Sequence, residues 1–314
     1  MTISSAPTIA IVILNWNGWE DTIECLTSLK NLTYPNWKAI VVDNNSTDGS
    51  AQKIQQTFPD VTLINNNSNL GFSEGNNVGI REALRSKADY IFILNNDTIL
   101  DPPIFSYLLA ESEKLNEPAI LSPRIFSYTS PQEISFGGAR WLPDKAKFLI
   151  LQSSNTSFSD EDSEAFETGF ALGCAMFFNR LIPEQIGLFE KKFFLHFEDM
   201  DWCNRARKAG IPIFHVPKAK LWHKISSTFE RETSKGTSHY YCTRNHLLWI
   251  EKHLKSTEKR IAYTWVLKQM FKQIKKSLNP MTTSALHRKI LKSQGEGLLH
   301  YLIRVFGQRP SDRK

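Results

Sequence analysis

The chain has 314 residues, 41% of them hydrophobic and 22% charged, with a formal net charge of +6. That suits one large domain, or one domain with an appendage, and excludes a chain too polar to bury a core. Its apolar runs, such as 9–14 and 90–94, are strand-length and far short of the ~18–20 residues of a membrane span, and 1–7 lacks the basic flank and apolar block of a secretory leader.

In chain order, 9–14 is a continuous apolar run, the pattern of a strand buried on both faces. Over 19–29, Ile23, Leu26 and Leu29 fall on one helical stripe. A second strand, 38–42, ends in the polar turn Asp43-Asn44-Asn45-Ser46-Thr47-Asp48-Gly49, where Ser46 or Asp48 can cap a helix over 50–58. A third strand at 61–64 is followed by Asn69-Leu70-Gly71-Phe72 and a helix to Arg85. A fourth, 90–94, stops at Asn95-Asn96-Asp97. Strand and helix alternate, which predicts an α/β fold with a mostly parallel, Rossmann-like sheet flanked by helices. Ligands of such sheets sit beyond the carboxyl ends of the strands, where each of these polar clusters lies.

Beyond Asp97 the pattern changes. A helix is expected over 102–115, strands over 119–126, and hairpins over 133–151 with turns at Gly137-Gly138 and Pro143-Asp144. The Ser/Asp/Glu-rich stretch 153–164 reads as a mobile surface loop. An apolar, small-residue segment (170–178) and a short helix (180–186) precede an aromatic run, 193–197. Glu198-Asp199 then opens a helix to Ala209, stopped by Gly210. Two short strands, 213–216 and 219–222, end at His223, and a helix follows over 240–254. No internal repeat is present. The four cysteines are scattered without metal-ligand spacing, which fits reduced thiols in a cytoplasmic protein.

Residues after Ile250 hold 15 Lys/Arg against 4 Asp/Glu, so 251–314 is a basic helical extension on a mildly acidic body, 1–250. Trp265, Val266, Met270, Phe271 and Ile274 alternate there with Lys268, Lys272, Lys275 and Lys276, and a second amphipathic segment covers 298–306. Such helices can lie on an anionic membrane surface, pack on the body with a solvated basic face, or form a homo-oligomer contact. Without a recognition module beside the charge, no nucleic-acid partner is expected.

The ordered clusters Val12-Ile13-Leu14-Asn15-Trp16-Asn17, Val41 to Gly49, Asn69-Leu70-Gly71-Phe72 through Asn76-Asn77, Leu94-Asn95-Asn96-Asp97, Phe197-Glu198-Asp199-Met200-Asp201-Trp202, His223, and Tyr240-Tyr241 with Arg244-Asn245 resemble the inverting glycosyltransferase family 2, of GT-A fold. The likeness is greatest to its rhamnosyltransferase-type members, which build cell-surface polysaccharides. It implies transfer of one sugar from a nucleoside-diphosphate sugar, such as dTDP-rhamnose or a UDP-sugar, to a saccharide or lipid-linked hydroxyl. The expected place is the cytoplasm, or the inner face of the plasma membrane if the tail docks there. A donor-binding half (about 1–100) and an acceptor half (about 101–250) follow from the same likeness.

The resemblance assigns Asn15, Asn17, Asp43, Asn45, Asn69, Gly71, Asn76 and Asn96 to the donor, although turn chemistry alone also uses these residue types. Leu94-Asn95-Asn96-Asp97 stands where the family carries Asp-x-Asp, with Asn95 in place of the first aspartate. Asp97 and His223 are then the ligands of Mg²⁺ or Mn²⁺, which would stabilise the leaving diphosphate. Asp199 is the expected base toward the acceptor hydroxyl, with Glu198 capping or orienting it, and the helix dipole would lower its pKa somewhat. Asp201 and Arg205, four apart, suit an ion pair. Arg244 would meet the diphosphate or form an interhelical salt bridge. Gly173 and Trp202 would line the acceptor or simply pack. Two rival readings are a sugar-1-phosphate nucleotidylyltransferase and a non-catalytic nucleotide-sugar-binding relative. The first expects a basic glycine-rich loop after the first strand, where Asn15-Trp16-Asn17-Gly18-Trp19-Glu20 has no Lys or Arg.

Overall fold

A computed structural model of the chain describes residues 6–154, 164–224, 236–277 and 284–312. Most of the stretch expected to be a mobile loop, 155–163, lies outside them. The first half is laid out as the apolar periods predict: β1 (Ile9–Asn15), α1 (Trp19–Leu29), β2 (Trp37–Asp43), α2 (Ser50–Thr57), β3 (Thr62–Asn65), α3 (Gly71–Arg85) and β4 (Tyr90–Asn95). Then come β5 (Thr98–Leu100), α4 (Ile104–Leu115), β6 (Ile120–Ser127), β7 (Ile134–Phe136), β8 (Ala139–Leu142), β9 (Lys147–Ile150), β10 (Phe166–Glu167) and β11 (Ala175–Asn179). The chain continues through α5 (Leu181–Ile186), α6 (Glu198–Lys208), β12 (Ile213–His223), α7 (Thr237–His253), α8 (Ser256–Ser277) and α9 (Ala285–Leu302).

The main sheet has the order β10-β12-β6-β11-β4-β1-β2-β3, with β5 and β7 on its flank. β3, β2, β1 and β4 run parallel, β6 and β12 are parallel to each other, and β11 runs antiparallel between β4 and β6. β8 and β9 form a separate hairpin. The two short strands expected before His223 are one strand, β12, whose register against β6 shifts between Val216 and Lys220. Of the apolar stretch 170–178 only the end pairs, as β11, antiparallel to Leu94 and its neighbours.

The residues from Ile9 to Ile13 are almost wholly buried. At about 1.5–3 kcal/mol for each fully buried large aliphatic side chain, such a strand anchors the sheet and fixes where its polar end emerges. α3 packs close over it because Gly75 and Gly79, one turn apart, lack side chains. A Cβ on Gly79 would fall 2.2 Å from Val12, and one on Gly75 2.6 Å from Leu14. Gly49, with φ 81, takes the N-cap position of α2, while Asp48 accepts from the Ser50 amide at 3.0 Å. Gly210 has φ 80 just past α6, the stop expected of it.

A second core joins the C-terminal helices to the body. Ala262 and Val266 of α8 bury with Leu247, Leu248, Trp249 and Ile250 of α7, and Phe193 packs into the same cluster. The other side of α8 leaves Trp265, Leu267, Phe271 and Ile274 exposed. No helix among the described residues is long and apolar enough to cross a membrane.

Candidate active site

β1 and β2 end in register, so Asn15 lies opposite Asp43. Asn15 Nδ2 donates to Asp43 Oδ1 at 2.7 Å, and the Ser46 amide donates to Asp43 Oδ2 at 2.9 Å. Asp43 is only 3% exposed, and each oxygen keeps a lone pair for a further donor. Thr22, on α1, ties this pair to the end of β4. Its hydroxyl contacts Asn15 Oδ1 at 2.8 Å and accepts from Asn96 Nδ2 at 2.9 Å. Asn17, with φ 52, accepts from the Thr47 amide and donates its own amide to Ser46 Oγ. These contacts bring Asn15, Asn17, Asp43 and Asn96 together at one rim of the sheet.

Asn69 bonds with Asn44 Nδ2 at 2.9 Å and accepts from the Gly71 amide at 2.8 Å. Asn44 was given no role of its own in the sequence, yet it is buried and also receives Asn66 Nδ2 and the Leu70 amide. Its signal was its place one residue past Asp43. Asn45 is exposed with φ 63 at the turn tip, and Asn76 is buried, donating to the Phe72 carbonyl.

His223, last residue of β12, puts Nε2 3.0 Å from Asp97 Oδ1. Asn95 Nδ2 sits 3.4 Å from the same nitrogen, so the asparagine that replaces the first aspartate still faces the pair. Burial disfavours charge on His223, but Cys174 and Asp97 beside it outweigh that, and its pKa is raised to about 10. Among the described residues no group of three ligating side chains forms, so a cation here would complete its shell with diphosphate oxygens and water. One carboxylate with one imidazole, its proton displaced by the cation, suits Mn²⁺ or Mg²⁺. Lys224, next in sequence, is tied to Asp21 at 2.7 Å and Glu24 at 2.5 Å, a tether that sequence spacing did not reveal.

Asp199 stands in the first turn of α6. Its Oδ2 accepts from the Gly173 amide at 3.0 Å and its Oδ1 from the Met200 amide at 2.7 Å. Burial pushes its pKa up and these amides pull it down, and the net direction is upward, not the lowering expected from the helix dipole. Glu198 is buried with Oε2 lacking a hydrogen-bond partner, and burial together with the Asp199 charge raises its pKa well above the ordinary value. Gly173 and Cys174 connect the two centres. The Gly173 amide holds Asp199, the Cys174 carbonyl accepts from the Asn95 amide at 2.9 Å, and Asn95 Nδ2 faces His223 Nε2 at 3.4 Å. Consecutive Cα atoms lie ~3.8 Å apart, so one short backbone step joins Asp199 to Asn95, the neighbour of the Asp97–His223 pair.

Three further residues lie away from that step. Trp202 is 1% exposed, packs on Phe178 and Phe189, and donates Nε1 to the Gly187 carbonyl, so it belongs to the core and not to an acceptor surface. Asp201 pairs with Arg205 at 2.9 Å as the spacing predicts, and also with Lys252 and His253. Arg244 was expected at a diphosphate or in an interhelical salt bridge. It is fully buried, and its guanidinium bonds to the carbonyls of Lys192, Phe193 and Gly307.

A mixed sheet of this order, with polar residues at the carboxyl ends of β1, β2 and β4, has the GT-A architecture. The chain belongs to glycosyl transferase family 2, whose family model matches residues 10–185. It is 26% identical over 238 residues to the N-acetylglucosaminyl-diphospho-decaprenol L-rhamnosyltransferase of Mycobacterium tuberculosis, covering 69% of this chain and 76% of the relative. It is 21% identical over 255 residues to the dTDP-rhamnosyl transferase RfbF of Shigella flexneri, covering 78% and 80%. Among solved structures, the mannosyltransferase PcManGT of Pyrobaculum calidifontis in complex with GDP-Man and Mn²⁺ superposes with a TM-score of 0.58 at 14% identity, covering 96% of this chain and 89% of the other.

Proposed function

We propose that this glycosyltransferase moves a single sugar, with inversion, from a nucleoside-diphosphate sugar to a hydroxyl of a saccharide or lipid-linked acceptor during cell-surface polysaccharide synthesis. dTDP-rhamnose is the donor favoured by the likeness to one dTDP-rhamnosyl transferase and one L-rhamnosyltransferase, and a UDP-sugar is the alternative. The observation that carries the reading is the backbone step Gly173–Cys174, which bonds to Asp199 through the Gly173 amide and, through the Cys174 carbonyl, to Asn95 beside the Asp97–His223 pair.

Asn15, Asp43 and Asn96 form the rim that receives the nucleoside, with Asp43 accepting from base or ribose. Asn17, Asn45, Asn69, Gly71 and Asn76 shape the turns around it. Asp97 and His223 would hold Mg²⁺ or Mn²⁺, and the cation, when bound, supplies positive charge against the departing diphosphate. Asp199 takes the proton of the acceptor hydroxyl as that oxygen bonds to the anomeric carbon and the bond from carbon to diphosphate breaks. A carboxylate whose pKa is raised by burial is a better base for that transfer than an exposed one. The Gly173 amide holds it in line.

The test is release of nucleoside diphosphate from dTDP-rhamnose and UDP-sugars by purified protein with Mn²⁺, with and without saccharide acceptors. Release should depend on the acceptor. Asp199→Asn should lower kcat about a thousandfold while leaving donor affinity by calorimetry near wild type. Normal turnover by that variant would remove Asp199 as the base.

For the lipid-linked acceptor, the exposed Trp265, Leu267, Phe271 and Ile274 of α8 alternate with Lys268, Lys272 and Lys275. A groove of about 610 Å³ beside them has Lys145, Lys147, Arg260 and Lys268 in its lining against the single carboxylate of Asp144. This face suits an anionic bilayer surface. The protein should float with phosphatidylglycerol vesicles, and Lys268→Glu with Lys272→Glu should abolish flotation. Equal flotation of wild type and variant would remove the membrane from the reading.

A further inference from the structure

We infer that Arg244 and Asn245 are positioning residues that fix the backbone of 192–197 in the one shape that presents Asp199, and that they do not touch the diphosphate. The inference deepens the reading of Asp199 as the base and rests on it.

The segment leading into α6 is unusual in its backbone. Phe194, His196 and Phe197 have φ of 65, 67 and 73, all left-handed and none of them glycine. Side chains other than glycine hold that conformation only where their surroundings enforce it. The enforcement comes from opposite sides. Asn245, fully buried, points Nδ2 at the carbonyls of Phe193, Leu195 and His196, at 2.7, 2.8 and 2.9 Å. Arg244 Nη2 donates to the carbonyls of Lys192 and Phe193, at 3.1 and 3.0 Å. From the start of α3, the amides of Phe72 and Ser73 donate to the Phe194 carbonyl, and the Phe197 carbonyl accepts from the Asp201 amide in the first turn of α6. Every carbonyl from Lys192 to Phe197 therefore has a donor.

The two side chains act as one unit. Arg244 Nε donates to Asn245 Oδ1 at 2.9 Å, which fixes the amide with its NH₂ toward the loop. Nη1 donates to the Gly307 carbonyl at 2.7 Å, while the Gly307 amide donates to Lys192, so the turn after α9 closes the clamp. The rings of Tyr240, Tyr241 and Phe306 surround the guanidinium at 5.3, 5.0 and 5.9 Å. A phosphate could reach this cation only by dismantling those bonds. On the opposite side of the segment, Gly71 (φ 74) has no room for a Cβ, which would lie 2.5 Å from Phe194. The left-handed segment is thus pressed between the start of α3 and the Arg244-Asn245 pair.

The test uses the full chain with Asn245→Ala, Asn245→Asp and Arg244→Lys. Deuterium uptake of the 192–200 peptide should rise about tenfold in rate for Asn245→Ala. Its kcat for nucleoside diphosphate release should fall about ten- to a hundredfold, with KM and the calorimetric Kd for UDP and dTDP in Mn²⁺ unchanged. Asn245→Asp keeps the shape but removes the donor, and should match alanine. Arg244→Lys should fall between those variants and wild type, and it carries the same test if Asn245→Ala does not fold. Weaker nucleotide binding by Arg244→Lys with normal exchange of the peptide would assign Arg244 to the diphosphate and overturn the clamp. Wild-type exchange and kcat in the Asn245 variants would overturn it equally. If wild type releases no nucleoside diphosphate, the transferase reading fails, and the exchange measurement still decides the clamp.

Discussion

The two sides of the proposed site, a donor rim and a base at Asp199, are built by different means. On the donor side, Asn15, Asp43 and Asn96 sit at the ends of parallel strands or one residue beyond, and the sheet ladder sets their spacing. Their side chains satisfy one another through Thr22. On the base side, Asp199 follows three left-handed residues, and most of the restraint comes from α7, more than forty residues later. Each such residue costs about 1–3 kcal/mol, which the surrounding bonds must offset. Regular secondary structure positions the donor end at little cost. The segment leading to Asp199 stores strain and depends on distant chain.

The sharpest way to break this comparison is at the point where the halves meet. Asp97 comes from the loop after β4 and His223 from the end of β12, so the pair spans both halves of the sheet. Asp97→Asn or His223→Ala should weaken Mn²⁺-dependent binding of UDP or dTDP about a hundredfold by calorimetry, with little change in metal-free binding. Equal loss with and without metal would mean the pair only braces the fold.

That difference also explains what could be read before any coordinates. The apolar run 9–14 and the polar stops at Asp43 and Asn95-Asn96-Asp97 announce a parallel sheet and its ligand edge, because burial on both faces is a local pattern. Asp199 and His223 came from ordered motifs, not from physics, and the antiparallel insertion of β11 between β4 and β6 left no mark in the sequence. For Trp202 the sequence leaves acceptor contact and core packing both open, and for Arg244 a diphosphate contact and an interhelical salt bridge. Their burial depends on long-range partners, Gly187 for one and Lys192, Phe193 and Gly307 for the other, which no local spacing encodes. The left-handed residues Phe194, His196 and Phe197 were equally silent, since phenylalanine carries no signal for positive φ and a single histidine only a weak one.

A smaller perturbation probes the donor side alone. Thr22 is fully buried, so Thr22→Val keeps its volume and removes the hydroxyl that joins Asn15 to Asn96. Losing a bond that leaves buried partners short costs about 1–3 kcal/mol. The variant should melt a few degrees lower and bind UDP or dTDP several times more weakly, with exchange of the 192–200 peptide untouched. A change in that peptide would mean the two sides share one network and are not built separately.

The smallest effect runs the other way and tests whether the base side carries stored instability. Glu198 is buried beside Asp199 with one oxygen unpaired, and burial with that neighbouring charge raises its pKa well above 4.5. A carboxyl raised on folding binds its proton more tightly in the native state. Its favourable contribution is therefore complete below the unfolded pKa and is lost as pH climbs through that value toward the raised one. At neutral pH the wild-type fold bears the cost of keeping the group protonated or of burying its charge. Glu198→Gln has no such linkage. It should melt about 2 °C higher than wild type near pH 7.5, if roughly 1 kcal/mol is recovered, and the gap should close as pH falls below 4.5. A gap that stays constant with pH would trace the gain to packing, and an unstrained Glu198 would make the base side as relaxed as the strand ends opposite.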